Sequence, residues 1–171
     1  MPAGNAQPQR RPDPRRIAAW LESVTDPEIP VLTITDLGIL RDVQVHGDRV
    51  EVVITPTYSG CPAMRTIEQS ILAELARHGI DDVRVRNQLS PAWTTDWLTP
   101  QGRRKLREYG IAPPAEATAD KKALARGVAV VRCPQCGSTR TTCLSEFGST
   151  ACKALYRCDE CLEPFDYFKC L

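Results

Sequence analysis

Residues 133–161 read CPQCGSTRTTCLSEFGSTACKALYRCDEC. The stretch holds two Cys-x-x-Cys pairs separated by 21 residues: Cys133 with Cys136, and Cys158 with Cys161. In each pair a tight turn can direct both thiolates at one ion, and Gly137 suits the positive φ that such a turn often requires. The spacing therefore predicts a small β domain, a zinc ribbon over residues 131–171, with one structural Zn²⁺ per chain.

About forty residues are too few for a core that is stable by itself, so we expect the ion to supply much of the ribbon's folding free energy. All eight cysteines except Cys61 lie at or beyond residue 133. In a reducing compartment such a pattern indicates metal binding more often than disulfides. The alternative interpretation is two unrelated redox or free-thiol pairs.

The composition excludes several classes of function. Twenty-two Lys and Arg balance 21 Asp and Glu, and no basic stripe suggests a nucleic-acid partner. No stretch approaches the roughly 20 apolar residues of a membrane span. Residues 1–12 are rich in Pro, Gln and Arg, and we expect them to be disordered rather than a secretory signal. A cytoplasmic location is the resulting expectation.

The segment from Asp13 to Val24 is predicted to be an amphipathic helix. Asp13 can cap it, Pro14 suits its first position, and apolar residues recur at helical spacing. The loop that follows, residues 26–38, keeps neither the helical nor the strand period. Alternating apolar residues on both sides of Gly47-Asp48 then predict a β-hairpin.

A second helix is predicted after Cys61-Pro62, ending at Gly79, and a third strand over residues 83–89. A short basic helix from Pro100 to Tyr109 follows. The order helix, hairpin, helix, strand, helix predicts an α+β fold, a small mixed sheet with helices packed on it, over residues 13–110. Residues 111–130, with Pro-Pro, several Ala and mixed charges, are predicted to link it to the ribbon.

Cys61 is the main chemical candidate outside the ribbon. A cysteine at a helix N-terminus meets unpaired N–H groups and the helix dipole, so we expect a lowered pKa and a thiolate that can act as ligand or nucleophile. No histidine lies near it in sequence, which argues against a Cys–His hydrolase. The carboxylates of Asp26, Glu28 and Asp36 would face Cys61 if their loop shares one end of the sheet with the second helix. Turn or capping roles are the alternative for all three.

Three further cysteines lie in the ribbon: Cys143, Cys152 and Cys170. One interpretation is that Cys143 and Cys152 are small buried hydrophobic residues. The other is that some of the three join Cys61 in a second thiolate site for iron or an iron–sulfur cluster.

Three motifs carry a family resemblance: DPEIP at residues 26–30, DLG at residues 36–38, and TPTYSGCP at residues 55–62. Together they resemble the iron–sulfur assembly domain family. PAWTTDW at residues 91–97, YGIAPP at residues 109–114 and the C-terminal run from Phe147 to Cys170 are similar to one branch of it, the D subunits of bacterial phenylacetyl-CoA epoxidase systems. Cys152 and Cys170 match that branch pattern, whereas Cys143 is not matched to it and its role stays open.

The resemblance implies an accessory role in aerobic phenylacetate degradation, with the di-iron centre and the substrate site in other subunits. It implies that Asp26, Glu28, Asp36 and Cys61, with Cys152 and Cys170 as further candidates, handle iron or a cluster in transit. The implied partners are oxygenase or reductase subunits and iron–sulfur carrier proteins, with a homo-oligomer also open. Two hypotheses follow. The leading one is a non-enzymatic maturation factor; the other is a structural subunit that binds its partners through the ribbon and residues 93–97 without handling iron.

Overall fold

The computed structural model describes residues 13–114 and 130–169. The predicted disordered N-terminus, residues 115–129 of the predicted linker, and Cys170 lie outside the described residues. The described elements are α1 (Pro14–Leu21), β1 (Leu40–His46), β2 (Arg49–Ile54), α2 (Ala63–Arg77), β3 (Val83–Asn87), a 3-10 turn (Thr95–Trp97), α3 (Pro100–Glu108), β4 (Ile111–Ala112), β5 (Thr141–Ser145), β6 (Lys153–Cys158) and β7 (Pro164–Phe168).

The first unit is a three-stranded mixed sheet, and the predicted α+β fold is confirmed. β1 and β2 form the antiparallel hairpin, while β2 and β3 run parallel, since α2 carries the chain back between them. Val50, Val52 and Ile54 alternate along β2 and are fully buried. Against them lies the apolar face of α2, whose Ile67, Ile71 and Leu75 recur at intervals of four.

The first helix and the third strand end earlier than predicted. The first helix ends at Leu21 rather than Val24, because the chain turns there and Thr25 forms an antiparallel bridge with Thr33. The third strand ends at Asn87, level with the last residue of β2, and beyond it Leu89 is 65% exposed.

The segment after β3 packs on the loop that precedes β1. The indole of Trp93 is buried and donates to the Leu37 carbonyl oxygen at 2.7 Å. Gly38 has a φ of 67°, and a Cβ there would lie 2.6 Å from the Trp97 carbonyl oxygen. Glycine is therefore required at position 38 by both conformation and space.

The second unit is a four-stranded sheet in the order β4-β7-β6-β5, and its last three strands form the predicted ribbon. The linker prediction is wrong at its start, because residues 111–112 form β4, which pairs in parallel with β7. β4 follows α3 after a short turn at Gly110, so the ribbon's sheet begins within the first unit.

The two units also share a core. Cys152 and Phe168 belong to the ribbon in sequence, yet both are buried in the hydrophobic cluster of the first unit. Phe165 and Tyr167 face the other way, into the ribbon's own small cluster. Side chains alternate between the two faces of β7, so Phe168 lies in the first unit's core while Phe165 and Tyr167 lie in the ribbon's core. In residues 13–114 and 130–169, no helix has both the length and the apolarity to cross a membrane.

Candidate metal centres

The four cysteines of the two Cys-x-x-Cys pairs converge on one point. Their sulfur atoms all lie within 4.8 Å of one another. The sulfurs of Cys133 and Cys161 are 3.7 Å apart, and those of Cys136 and Cys158 are 3.5 Å apart. A tetrahedral zinc with Zn–S bonds of about 2.3 Å needs sulfurs roughly 3.8 Å apart, so this donor set fits the ion.

Backbone hydrogen bonds give the two turns the same shape. The N–H of Cys133 donates to the Ser138 carbonyl at 2.9 Å, and the N–H of Cys158 donates to the Glu163 carbonyl at 3.0 Å. The backbone N–H of Cys161 donates to the Cys158 sulfur and, with a second N–H, lowers the pKa of that thiol to about 7. These donors favour the thiolate, which is the form that binds a metal.

The residue after each pair has a left-handed backbone, with a φ of 75° at Gly137 and 64° at Leu162. The first was expected from the glycine. The second was not, because leucine seldom adopts this conformation. Leu162 adopts the left-handed conformation because its turn has the same shape as the turn at Gly137. Its side chain is 67% exposed.

A second group of candidate ligands starts at the loop after α1. One carboxylate oxygen of Asp26 accepts the N–H groups of Glu28, at 2.7 Å, and Ile29, at 3.0 Å. Asp26 is buried, and burial raises the pKa of its carboxyl despite these two bonds. Asp26 therefore shapes the turn that presents Glu28.

Cys61 lies immediately before Pro62, the N-cap of α2, as predicted. Its expected low pKa is wrong for the metal-free chain. Burial raises the pKa of the Cys61 thiol and, with the nearby carboxylates of Glu28 and Asp26, outweighs the Ala63 N–H and the Tyr58 hydroxyl, which favour the thiolate. The helix terminus alone does not ionise this cysteine.

Cys152 reaches this group from the ribbon. The residue is 4% exposed, and its sulfur lies 3.9 Å from a carboxylate oxygen of Glu28, which is 124 positions earlier in the chain. The hydroxyl of Thr150 lies 3.0 Å from the same sulfur. Burial raises the pKa of Cys152, and the charges of Glu28 and Asp26 raise it further. The structure thus places Cys152 against Glu28, on the loop whose carboxylates also act on the Cys61 thiol.

Sequence reasoning did not place Tyr58 or Lys153 beside these thiols. Tyr58 lies beside Cys61, and burial together with Cys61, Glu28 and Cys152 raises the pKa of its hydroxyl to about 12. Lys153 is buried, its ammonium 3.3 Å from the Asp166 carboxylate, and its charge also acts on Glu28 and Cys152. Their closeness in sequence to the two cysteines was the available signal.

The remaining candidates lie elsewhere. The described contacts of the Asp36 carboxylate are with Thr33, Thr99 and Lys105, whose ammonium is 2.6 Å away, and they join its loop to α3 rather than to a cysteine. Burial alone would raise the pKa of Asp36, but Lys105 and the Thr33 N–H outweigh it and lower the pKa. Cys143 is exposed on β5, so the interpretation of it as a small buried hydrophobic residue is wrong, and Cys170 lies outside the described residues.

Comparisons with known proteins match two separate parts of the chain, and β4 lies between the two matched parts. The family described as "Iron-sulfur cluster assembly protein" matches residues 14–86, and the family described as "PaaD zinc beta ribbon domain" matches residues 117–169. The second match covers both Cys-x-x-Cys pairs and Cys152. The first covers Asp26, Glu28 and Cys61.

One relative matches along nearly its full length. The chain is 54% identical over 160 residues to a protein of Escherichia coli named as the D subunit of a "Putative 1,2-phenylacetyl-CoA epoxidase", covering 94% of each chain. A domain of unknown function from Bacillus anthracis has the fold of the first unit, with a TM-score of 0.51 at 24% identity, over 54% of this chain and 89% of that one. A conserved hypothetical protein from Thermotoga maritima matches with a TM-score of 0.48 at 26% identity, over 56% and 95%.

Proposed function

Because the chain belongs to the family of phenylacetyl-CoA epoxidase D subunits, we propose that it is a non-catalytic accessory protein of that system. In this proposal it assists maturation of the epoxidase's iron or iron–sulfur centres, holding iron in transit through Cys61. Its partners are then the oxygenase or reductase subunits and the carrier proteins that supply the iron.

We also propose that the four ribbon cysteines hold a structural zinc: Cys133, Cys136, Cys158 and Cys161. The fit of their sulfur spacing to a Zn²⁺ tetrahedron supports this assignment. With four protein ligands such a site has no open position for a substrate, so its role is to stabilise the ribbon.

One observation supports the maturation proposal most directly: Cys152 of the ribbon lies against Glu28 of the first unit. Glu28 is in the same loop as Asp26, and the carboxylates of both residues raise the pKa of the Cys61 thiol. Burial raises the pKa of Glu28, Cys61 and Cys152, so their charged forms cost free energy, and a protein that only bridged its partners would gain nothing from placing them together. Groups that bind a metal recover that free energy when the ion arrives.

Complementation tests the proposal. Cells that make the epoxidase but lack its D subunit would receive either the wild-type chain or the Cys61→Ser variant, with Cys143→Ser as the control. We expect the epoxidase purified from Cys61→Ser cells to be poor in iron and inactive. Normal iron content there would overturn the proposal.

The second candidate, a structural subunit, is favoured by exposed apolar side chains on the ribbon. Leu144 is 51% exposed, Phe147 68% and Leu162 67%. Trp93, by contrast, is buried and cannot contact a partner. If this candidate holds, Phe147→Ser fails to complement and does not copurify with the epoxidase, whereas Cys61→Ser complements fully.

A further inference from the structure

We infer that the four ribbon cysteines also form a redox site, at which hydrogen peroxide converts the thiolates to disulfides and the chain loses its hold on the proposed zinc. This redox site rests on the proposed zinc assignment. It adds a response to oxidant to a site otherwise assigned only to stability. The ribbon then supports the first unit only while its thiolates are reduced.

Exposure divides the four cysteines into two kinds. Cys133 and Cys158 are buried in the ribbon's own cluster, whereas Cys136 and Cys161 are exposed. Leu162, which follows the second exposed cysteine, is itself mostly exposed. Oxidation of cysteine follows thiolate character and access to solvent. Cys136 and Cys161 are therefore the residues that peroxide reaches first.

Each exposed cysteine has a buried one close enough to complete a disulfide. The sulfur of Cys161 lies 3.7 Å from that of Cys133, and the sulfur of Cys136 lies 3.5 Å from that of Cys158. A disulfide bond is about 2.05 Å long, so either pair of sulfurs must approach by less than about 2 Å. The buried sulfurs thus need no direct access to the oxidant.

The reaction balances in two stages. An exposed thiolate attacks one oxygen of the peroxide, so the O–O bond breaks, a sulfenic acid forms and hydroxide leaves. A buried thiolate then attacks the sulfenic sulfur, which forms the S–S bond and releases a second hydroxide. Two electrons pass from the two sulfurs to the peroxide, and a second peroxide oxidises the second pair. A disulfide no longer offers the thiolates that bind a metal, so the site is lost.

Strand β6 connects this site to the first unit. The strand ends at Cys158, and Cys152 directly precedes its first residue, Lys153. Lys153 is paired in register with Phe168 of β7. Cys152 and Phe168 both lie in the core of the first unit. Oxidation at one end of β6 therefore loosens the strand that carries these two contacts at its other end.

Peroxide treatment of the full chain, purified with its zinc, tests the redox site. Zinc release would be followed with a chromogenic chelator. Sulfenic acids would be trapped with dimedone, and they and the disulfides would be mapped by mass spectrometry. We expect release of one zinc per chain, sulfenic acid at Cys136 or Cys161, and disulfides that each join an exposed ribbon cysteine to a buried one. A sample with chelator but without peroxide controls for passive loss.

Two variants sharpen the test. Cys143→Ser is the matched control, because Cys143 is exposed on β5 but lies outside the group of converging sulfurs. It should release zinc at the wild-type rate. Cys161→His keeps a fourth zinc ligand, so the ribbon stays folded, but it removes one of the two accessible sulfurs. We expect it to release zinc about twofold more slowly than wild type.

Zinc that stays bound while peroxide oxidises the exposed Cys143 would overturn the redox site. Sulfenic acid trapped only at Cys133 and Cys158 would overturn it too, since the buried sulfurs would then be the ones attacked. A chain purified without zinc overturns the zinc assignment instead, and the map of disulfides then decides the redox site alone. Complementation by Cys61→Ser decides the maturation proposal separately from all of these results.

Discussion

The ring of Phe168, the last residue of β7, packs edge-on against the indole of Trp93, with centroids 6.1 Å apart and planes at 69°. Phe168 is 1% exposed and Trp93 4%. Trp93 in turn donates to the backbone carbonyl of Leu37. The end of the ribbon is therefore part of the support for the loop that precedes β1.

Removal of the proposed zinc is expected to loosen both units, not the ribbon alone. Without the ion the ribbon loses most of its folding free energy, and Phe168 and Cys152 no longer fill the first unit's core. Hydrogen exchange with mass detection, before and after chelation, should show faster exchange in residues 37–40 and 93–98. Exchange in β1 at residues 43–46, away from this contact, serves as the internal control. Unchanged exchange in residues 93–98 after complete zinc loss would contradict the shared core.

Gly38→Ala should destabilise the protein more than Gly47→Ala does. The two glycines have nearly equal φ, 67° and 65°, so an alanine at either has a similar conformational cost of about 1 kcal/mol. Of these two positions, only 38 brings the new Cβ against a neighbour, the Trp97 carbonyl. We expect an additional loss of about 1–3 kcal/mol in the free energy of unfolding, measured with urea. Equal losses would mean that the Trp97 contact relaxes without cost.

The Asp36–Lys105 ion pair should stabilise the protein in a pH-dependent way. Because the folded pKa of Asp36 is lowered from 3.8, its stabilisation is complete above that value and is lost as the pH falls through the folded pKa. Lys105→Met should cost about 2 kcal/mol at pH 7 and less below pH 3.8. The exposed Arg104→Met, on the same helix, should change the free energy of unfolding by less than about 0.5 kcal/mol. A penalty for Lys105→Met that grows in acid would contradict this assignment.

Asp26→Asn should stabilise the metal-free chain at neutral pH. The pKa of Asp26 is raised in the folded state, so its ionisation costs stability once the pH rises through that value. Asparagine keeps an oxygen for the Glu28 and Ile29 N–H groups and removes the charge. The advantage over wild type in thermal unfolding should vanish near pH 3, where the wild-type carboxyl is also neutral. Asp81→Asn, at an exposed carboxylate, is the control, and a lower melting temperature for Asp26→Asn at pH 7 would show that its charge is stabilising.

How much the sequence could predict depended on the range of each interaction. The four cysteines proposed to hold zinc could be found from the sequence, because each pair is separated by two residues and the turn between them is local. The contact between Cys152 and Glu28 joins residues 124 positions apart, and no periodicity encodes it. β4 was missed for a different reason: a strand of two residues is too short to show alternation. The pKa of Cys61 was predicted in the wrong direction because burial, which the sequence does not reveal, outweighs the helix terminus.

β4 has a consequence for any attempt to divide this protein. The edge strand of the ribbon's sheet is β4, which follows directly after α3. A fragment that begins at residue 130 lacks β4, so the backbone groups of β7 that pair with it would lose their native partner. Such an edge invites pairing with foreign strands, including those of another copy. The boundary between the two family matches is thus a poor place to cut, and the two halves, produced separately, would be expected to recombine through this shared strand.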